Sequence, residues 1–286
     1  MKTGLIMEGG AMRGMFTCGV MDVLLREEIE FDGAIGVSAG AVFGCNYKSR
    51  QIDRAIRYNT RFCKDKRYCS FRSLIRTGDL YGADFCYNKL PYELDIFDTD
   101  TFEKNPMEFW VVATDVHTGK AYYHKCKTGK GEDMKWFRAS ASMPVLSRPV
   151  EIRGGSYLDG GCADSVPLTF FESIGYDRNL VVLTQPKGYR KKSKKMSSLT
   201  RVALKKYPAI LKDLETRAED YNSQMEEVEK AAKDGKILAI YPPEALNIGA
   251  AEKKQEELLR VYRIGEETAK EKLPGIKEFL KTGRRL

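Results

Sequence analysis

Histidine is nearly missing: 2 of 286 residues. That scarcity starves any mechanism needing several imidazoles. Long hydrophobic runs are missing as well. No stretch approaches the about 18 apolar residues that a bilayer-crossing helix needs. The apolar stretch before the first glycines is shorter than the roughly 7–15 residues of a secretory leader core, so no leader is expected. The 7 cysteines are odd in number and include no CxxC pair, which argues against a disulfide framework or a zinc ribbon. A reducing cytoplasm is the expected setting. What the chain does have is a globular composition, 42% hydrophobic and 10% aromatic, too apolar for disorder. The length suits one large domain or a domain with an appendage.

Charge is unevenly placed. The net +8 comes entirely from residues 187–286, because residues 1–186 hold equal numbers of acidic and basic side chains. The densest piece, 187–206, has nine Lys/Arg and no acid, and a second piece, 57–76, has seven Lys/Arg against Asp65 alone. Both read as solvated surface or as contacts for an anionic partner. No nucleic-acid motif is present, so an anionic membrane is the favoured partner and no nucleic acid is expected. Tyr58, Phe62, Tyr68 and Phe71 interleave with the second piece, as core packing or as part of a lid.

Apolar runs alternate with helical patterns. Residues 5–7, 34–37, 109–114, 121–124, 180–184 and 237–240 read as strands. Helices are predicted from Met12 to Glu28 and from Ala39 to about Tyr47. This alternation implies a mostly parallel sheet covered on both faces. The composition changes near 190, dividing a catalytic domain over 1–190 from a basic, mainly helical region over 191–286. Leu211, Leu214, Ala218, Tyr221, Met225, Val228 and Ala232 form one apolar stripe along a long helix. A further helix is predicted from Glu252 to Lys272, closed by Pro274-Gly275.

Gly36-Val37-Ser38-Ala39-Gly40 is a G-x-S-x-G segment between a strand and a helix, the setting a nucleophile elbow requires. A serine on so sharp a turn needs small neighbours, and glycines at 36 and 40 supply them. A second loop, Glu8 to Gly14, also lies between strand and helix, and its N–H groups are placed to hold an oxyanion. It is not a dinucleotide loop, since Ala11 stands where G-x-G-x-x-G needs glycine. TGKGED at 128–133 lacks the spacing of a phosphate-binding loop.

No histidine follows the serine in the place a Ser–acid–His order requires. His117 reads as a surface turn residue and His124 as structural. The best remaining base is Asp159, in Leu158-Asp159-Gly160-Gly161. The same residues also suit a plain Asp-Gly-Gly turn. A carboxylate is a weak base in water, but it can serve when buried within hydrogen-bond reach of the serine.

The ordered triplet GGAMRG, GVSAG and LDGG resembles the patatin-like phospholipase family. ATDVHTG at 113–119, RASASMPVL at 138–146 and DSVPL at 164–168 resemble that family's internal blocks. The resemblance covers about residues 4–186 and is closest to a bacterial intracellular branch. It implies a three-layer α/β/α fold with a mostly parallel central sheet and a helical C-terminal region. It also implies Ser38 as nucleophile and Asp159 as general base, with Gly9, Gly10, Ala11 and Arg13 in the oxyanion loop and Gly36 and Gly40 at the elbow. The family usually has glycine where Ala11 stands, and alanine disfavours positive φ. The expected activity is lipid ester hydrolysis of phospholipase A or lysophospholipase type, without metal or cofactor. A soluble esterase or thioesterase, and a non-catalytic regulatory protein on the same fold, are the alternatives. The expected location is cytoplasmic, with peripheral contact at the inner membrane face through the 57–76 and 187–206 stretches.

Overall fold

The computed structural model describes residues 1–193 and 195–282. Lys194 of the 187–206 stretch and residues 283–286 of the C-terminal region lie outside the described residues. Eight strands form one sheet: β1 (Lys2–Met7), β2 (Gly33–Val37), β3 (Glu108–Asp115), β4 (Ala121–Cys126), β5 (Val150–Ile152), β6 (Gly155–Asp159), β7 (Tyr176–Val182) and β8 (Ile237–Ile240). Strands β8, β7, β1, β2 and β3 run side by side and parallel. Strands β4 and β6 pair antiparallel with β3, and β5 pairs antiparallel with β6. The short hairpin β5–β6 carries Arg153-Gly154 at its turn and was not legible in the sequence.

The α-helices among the described residues are α1 (Gly14–Arg26), α2 (Ala39–Lys48), α3 (Arg54–Phe62), α4 (Phe71–Thr77), α5 (Thr99–Lys104), α6 (Glu132–Ser140), α7 (Leu168–Ser173), α8 (Ser198–Ala203), α9 (Pro208–Lys233) and α10 (Gln255–Thr282). Alternate residues of the central strands enter two separate cores, as a strand's period of two demands. Leu5, Met7, Leu180 and Val182 pack with α1, α2 and α10 on one face. Ile6, Ile35 and Val181 pack with α7 and α9 on the other. The result is a three-layer α/β/α fold with a mostly parallel sheet, as the sequence implied. Among the described residues, no helix is long and apolar enough to cross a membrane.

Strand register brings two distant segments together. Phe109 of β3 faces Ala34 of β2 and Cys126 of β4, while Ala113 faces Tyr122 of β4 and Asp159 of β6. A strand has only two edges, so β2 and β6 share one edge of β3 and β4 takes the other. On the shared edge β2 ends at Val37 opposite Val112, and β6 ends at Asp159 opposite Ala113. Two strands of opposite direction therefore meet C-terminus to C-terminus, with Ser38 and Asp159 at the junction.

The C-terminal helices are bound into this frame. Ala218, Tyr221, Met225, Val228 and Ala232 of α9 are buried as the stripe implied. Helix α10 does not stop at Pro274-Gly275 as expected; it continues to Thr282. An interior proline costs about 3 kcal/mol. The far side repays it by burying Ile276 and Phe279, and Arg178 donates to the Leu280 carbonyl at 2.6 Å. Against α1 the contact is backbone to backbone: a Cβ on Gly19 would lie 2.1 Å from the Tyr262 carbonyl oxygen, and one on Gly265 2.1 Å from that of Phe16. Tyr58, Phe62 and Tyr68 are buried core residues, whereas Phe71 is 73% exposed.

Candidate active site

Ser38 occupies the turn between β2 and α2 with φ 55° and ψ −119°. That backbone conformation is costly for any residue with a Cβ and is kept only where the surroundings enforce it. They do so here by contact. A Cβ on Gly36 would meet the Gly40 carbonyl oxygen at 2.2 Å, and one on Gly40 would meet that of Met7 at 2.3 Å. The Ser38 N–H donates to Ser140 Oγ at 2.8 Å, and the Ser38 carbonyl accepts from Ala41 and Val42.

Ser38 Oγ donates to Asp159 Oδ2 at 2.7 Å, with both residues buried. The other carboxylate oxygen, Oδ1, accepts the Gly161 N–H at 2.8 Å. The Asp159 N–H donates to the Ser142 carbonyl at 2.8 Å, and Thr114 Oγ1 donates to the Asp159 carbonyl at 2.8 Å. The aspartate is thus held along its backbone as well as its side chain. Burial raises its pKa above the ordinary carboxylate value, opposed by the Ser38 hydrogen bond and by the Arg217 charge. A raised pKa makes the carboxylate a stronger base.

The glycine loop lies against the serine. A Cβ on Gly9 would stand 2.9 Å from Ser38 Cβ, and one on Gly10 2.7 Å from Thr184 Oγ1. Ala11 adopts φ +48°, the left-handed region that alanine disfavours. Its N–H remains available as a donor, and it lines a pocket together with Ser38. Arg13 begins the turn into α1, its N–H donating to the Gly10 carbonyl at 3.1 Å and its side-chain Nε buried without a hydrogen-bond partner.

Three residues that sequence reasoning missed anchor this loop and the aspartate turn. Buried Glu8 accepts from the Thr184 N–H at 2.6 Å and from Tyr221 Oη at 2.9 Å. Arg217 Nε donates to the Gly161 carbonyl at 3.0 Å. Gln224 Nε2 donates to Asp164 Oδ1 at 3.0 Å. Arg217, Tyr221 and Gln224 follow one another at helical spacing, so one face of α9 grips both loops. The stripe was legible as apolar; its polar contacts depend on which strand ends it meets. Lys191 lies 3.9 Å from the Tyr221 ring centroid, and burial first, then the Arg217 charge, lower its pKa to about 8.

Arg217→Gln therefore has a predictable sign. Removing that positive charge raises the Asp159 pKa further, so the acidic limb of kcat/KM on a soluble ester moves to higher pH. Arg217→Lys keeps the charge and returns the limb toward wild type. A limb that stays in place in Arg217→Gln shows that the guanidinium only braces the turn.

Beside Ser38 opens a pocket enclosing about 860 Å³, counting its mouth. Its walls are mainly aromatic and aliphatic, including Phe43, Tyr58, Tyr68, Phe97, Phe137 and Met143. Most of them come from the 54–97 segment and α6, which no motif marks.

His117 is exposed in the turn after β3. His124 Nε2 pairs with Asp133 Oδ1 at 2.8 Å and stacks on Trp136. His124, Cys126 and Asp133 bring ligand-type atoms within 4.8 Å of one another. Asp133 Oδ2 is already taken by the N–H groups of Lys127, Thr128 and Gly129, so the cluster is built as a loop staple. Asp133 lies roughly 10 Å along α6 from Ser140 at the site, at 1.5 Å per residue.

Residues 5–171 match the family model described as Patatin-like phospholipase, and residues 207–281 match a domain of unknown function, DUF6363. The uncharacterized protein YjjU of Escherichia coli is 25% identical over 92% of this chain and 75% of its own length. Lysophospholipase nte1 of Aspergillus niger is 26% identical over 62% of this chain, which spans 11% of that protein. An uncharacterized NTE family protein of Mycobacterium tuberculosis is 25% identical over 63% of this chain and 48% of its own. Among solved structures, VipD from Legionella pneumophila aligns over 96% of this chain and 67% of its own at a TM-score of 0.47 and 13% identity.

Proposed function

The chain belongs to the patatin-like phospholipase family, and from that premise we propose that it is a serine lipid acyl hydrolase of phospholipase A or lysophospholipase type. The observation that carries this reading is the 2.7 Å hydrogen bond from Ser38 Oγ to buried Asp159, with Ser38 lining an apolar pocket. The acyl chain lies among the pocket aromatics, which places its ester carbonyl over the serine. Ser38 Oγ attacks the carbonyl carbon as Asp159 accepts its proton. The oxygen that gains charge is held by N–H groups of the loop Gly9, Gly10 and Ala11, with the Arg13 charge close by and the N-terminus of α2 behind the serine. Asp159 returns the proton to the leaving alcohol. It then takes one from the water that attacks the acyl-serine and passes it to Ser38 Oγ as the bond from Oγ to the acyl carbon breaks, and the fatty acid leaves. No step draws on a metal or an organic cofactor.

The strained φ of Ser38 supports this reading, because it holds Oγ out of the helix and toward the pocket. The lysophospholipase name belongs to the fungal relatives; here it supports a substrate class. The 57–76 and 187–206 stretches are proposed to attract an anionic membrane. A fluorophosphonate probe should label wild-type protein on Ser38 and spare Ser38→Ala, with the site read by peptide mass spectrometry. Absence of labelling sinks the enzyme reading in favour of a regulatory protein on this fold. A labelled protein that cleaves acyl thioesters and leaves lysophospholipids intact is a thioesterase instead.

A further inference from the structure

Helix α4 is built unlike the rest of the fold. None of its residues is buried. Phe71 is 73% exposed and Ile75 85% exposed, and their spacing of four puts both on one side of the helix. A soluble surface does not ordinarily leave two large apolar side chains together in water. Arg72 and Arg76 stand beside them with the same spacing, both exposed. From Lys66 to Gly78 there is no acidic residue. An apolar stripe rimmed by arginine matches the interface of an anionic bilayer, with hydrocarbon below and phosphate above.

The helix is also held at the pocket. Tyr68 and Tyr81, which line it, bracket α4 in the chain, and a bridge between Cys69 and Tyr81 closes the excursion at its base. The Ser70 N–H donates to the Leu80 carbonyl at 3.0 Å, and the Leu80 N–H donates to the Leu146 carbonyl at 2.8 Å. That second bond ties α4 to the 143–148 loop, which begins next to Ser142, the residue that accepts the Asp159 N–H. Val145 on this loop has φ +70° and is 39% exposed. A β-branched residue is an outlier there. The Arg148 side chain packs under Gly78 at the end of α4.

Resting on the lipid-hydrolase reading, we infer that α4 is a membrane-docking element: Phe71 and Ile75 enter an anionic bilayer, Arg72 and Arg76 engage its phosphates, and the pocket mouth is thereby set against the lipid surface. The 187–206 stretch offers a rival pair, Leu199 at 74% and Val202 at 72% exposure on α8. The pocket lining takes no described residue of the 187–206 stretch, whereas Tyr68 and Tyr81 on either side of α4 belong to it, so α4 is preferred.

The experiment compares wild type, Phe71→Ser/Ile75→Ser, Arg72→Gln/Arg76→Gln and Leu199→Ser/Val202→Ser. Co-sedimentation uses phosphatidylglycerol and phosphatidylcholine vesicles, and each protein is also assayed on a soluble short-chain nitrophenyl ester. Loss of two large inserted side chains should weaken partition onto phosphatidylglycerol by roughly 100-fold. Hydrolysis of the soluble ester should not change, since α4 touches no reacting group. The arginine variant should lose the preference for phosphatidylglycerol over phosphatidylcholine. Undiminished vesicle binding in Phe71→Ser/Ile75→Ser overturns the inference. So does loss confined to Leu199→Ser/Val202→Ser. A concentration-dependent dimer that the α4 variant abolishes, with no vesicle binding in wild type, overturns it in favour of a second copy as occupant. If wild type fails on every ester yet binds phosphatidylglycerol through α4, the hydrolase reading falls and the docking surface stands.

Discussion

Ser38→Ala is expected to lower kcat/KM on short acyl nitrophenyl esters by roughly 10⁴-fold or more, the order seen when a covalent nucleophile is removed. The reason is local. Among the described residues, Ser38 is the hydroxyl that hydrogen-bonds the Asp159 carboxylate, and Ser140 Oγ is already engaged by the Ser38 N–H. Asp159→Asn should cost a similar factor, because an amide cannot take the proton. The two substitutions differ in stability, and that difference identifies the base. Burial lifts the Asp159 pKa in the folded protein, so the charged form is the less favourable one there. The sign follows: this group favours the fold below the ordinary carboxylate pKa, and the benefit is lost as pH rises through the raised value. At pH 7 the ionised side chain is a net cost. Asp159→Asn should therefore melt at the same temperature or higher, while Ser38→Ala should shift little. Melting curves beside the kinetics check both. A clearly less stable Asp159→Asn, or equal activity in all three proteins, contradicts the assignment.

Gly265→Ala should destabilise by about 3 kcal/mol, the upper end of overpacking costs, and lower Tm by roughly 6–10 °C. Its new methyl carbon would stand 2.1 Å from the Phe16 carbonyl oxygen. That neighbour is helical backbone, which cannot rotate away. Relief requires α10 to move off α1, opening the core that Val261, Ala269 and Ile276 fill. Gly275→Ala, in the same helix with open space around it, is the control and should be neutral or mildly stabilising. Thermal and urea unfolding distinguish the two; similar behaviour would show that α1 and α10 are not locked together by backbone contact.

The legible parts of the fold were those with local causes. The parallel strands at 5–7, 34–37 and 180–184 announce themselves because a strand buried on both faces must be apolar throughout. The elbow could be read because its glycines answer a steric demand within five residues. β6 could not, since GSYLD carries too short a pattern and its partners lie elsewhere in the chain. Pro274 misled for a related reason: proline's local cost is fixed, but the burial of Ile276 and Phe279 that offsets it is not local. The pocket walls went unread because aromatics spread over 54–97 look the same whether they fill a core or line a cavity.

Sequence alone marked the residues proposed here to carry the chemistry. A serine on a glycine-flanked turn, an aspartate before two glycines and an almost complete lack of histidine are properties of residue type and spacing. The tertiary structure decided how they meet. Ser38 and Asp159 are 121 positions apart, and only the register of β2 and β6 on one edge of β3 sets them 2.7 Å from each other. It also decided that α9 braces both loops through Arg217 and Tyr221, and that Phe71 faces water while Tyr68 is buried. Burial and contact are properties of the packed chain, arising from which surfaces the layers cover and which they leave open.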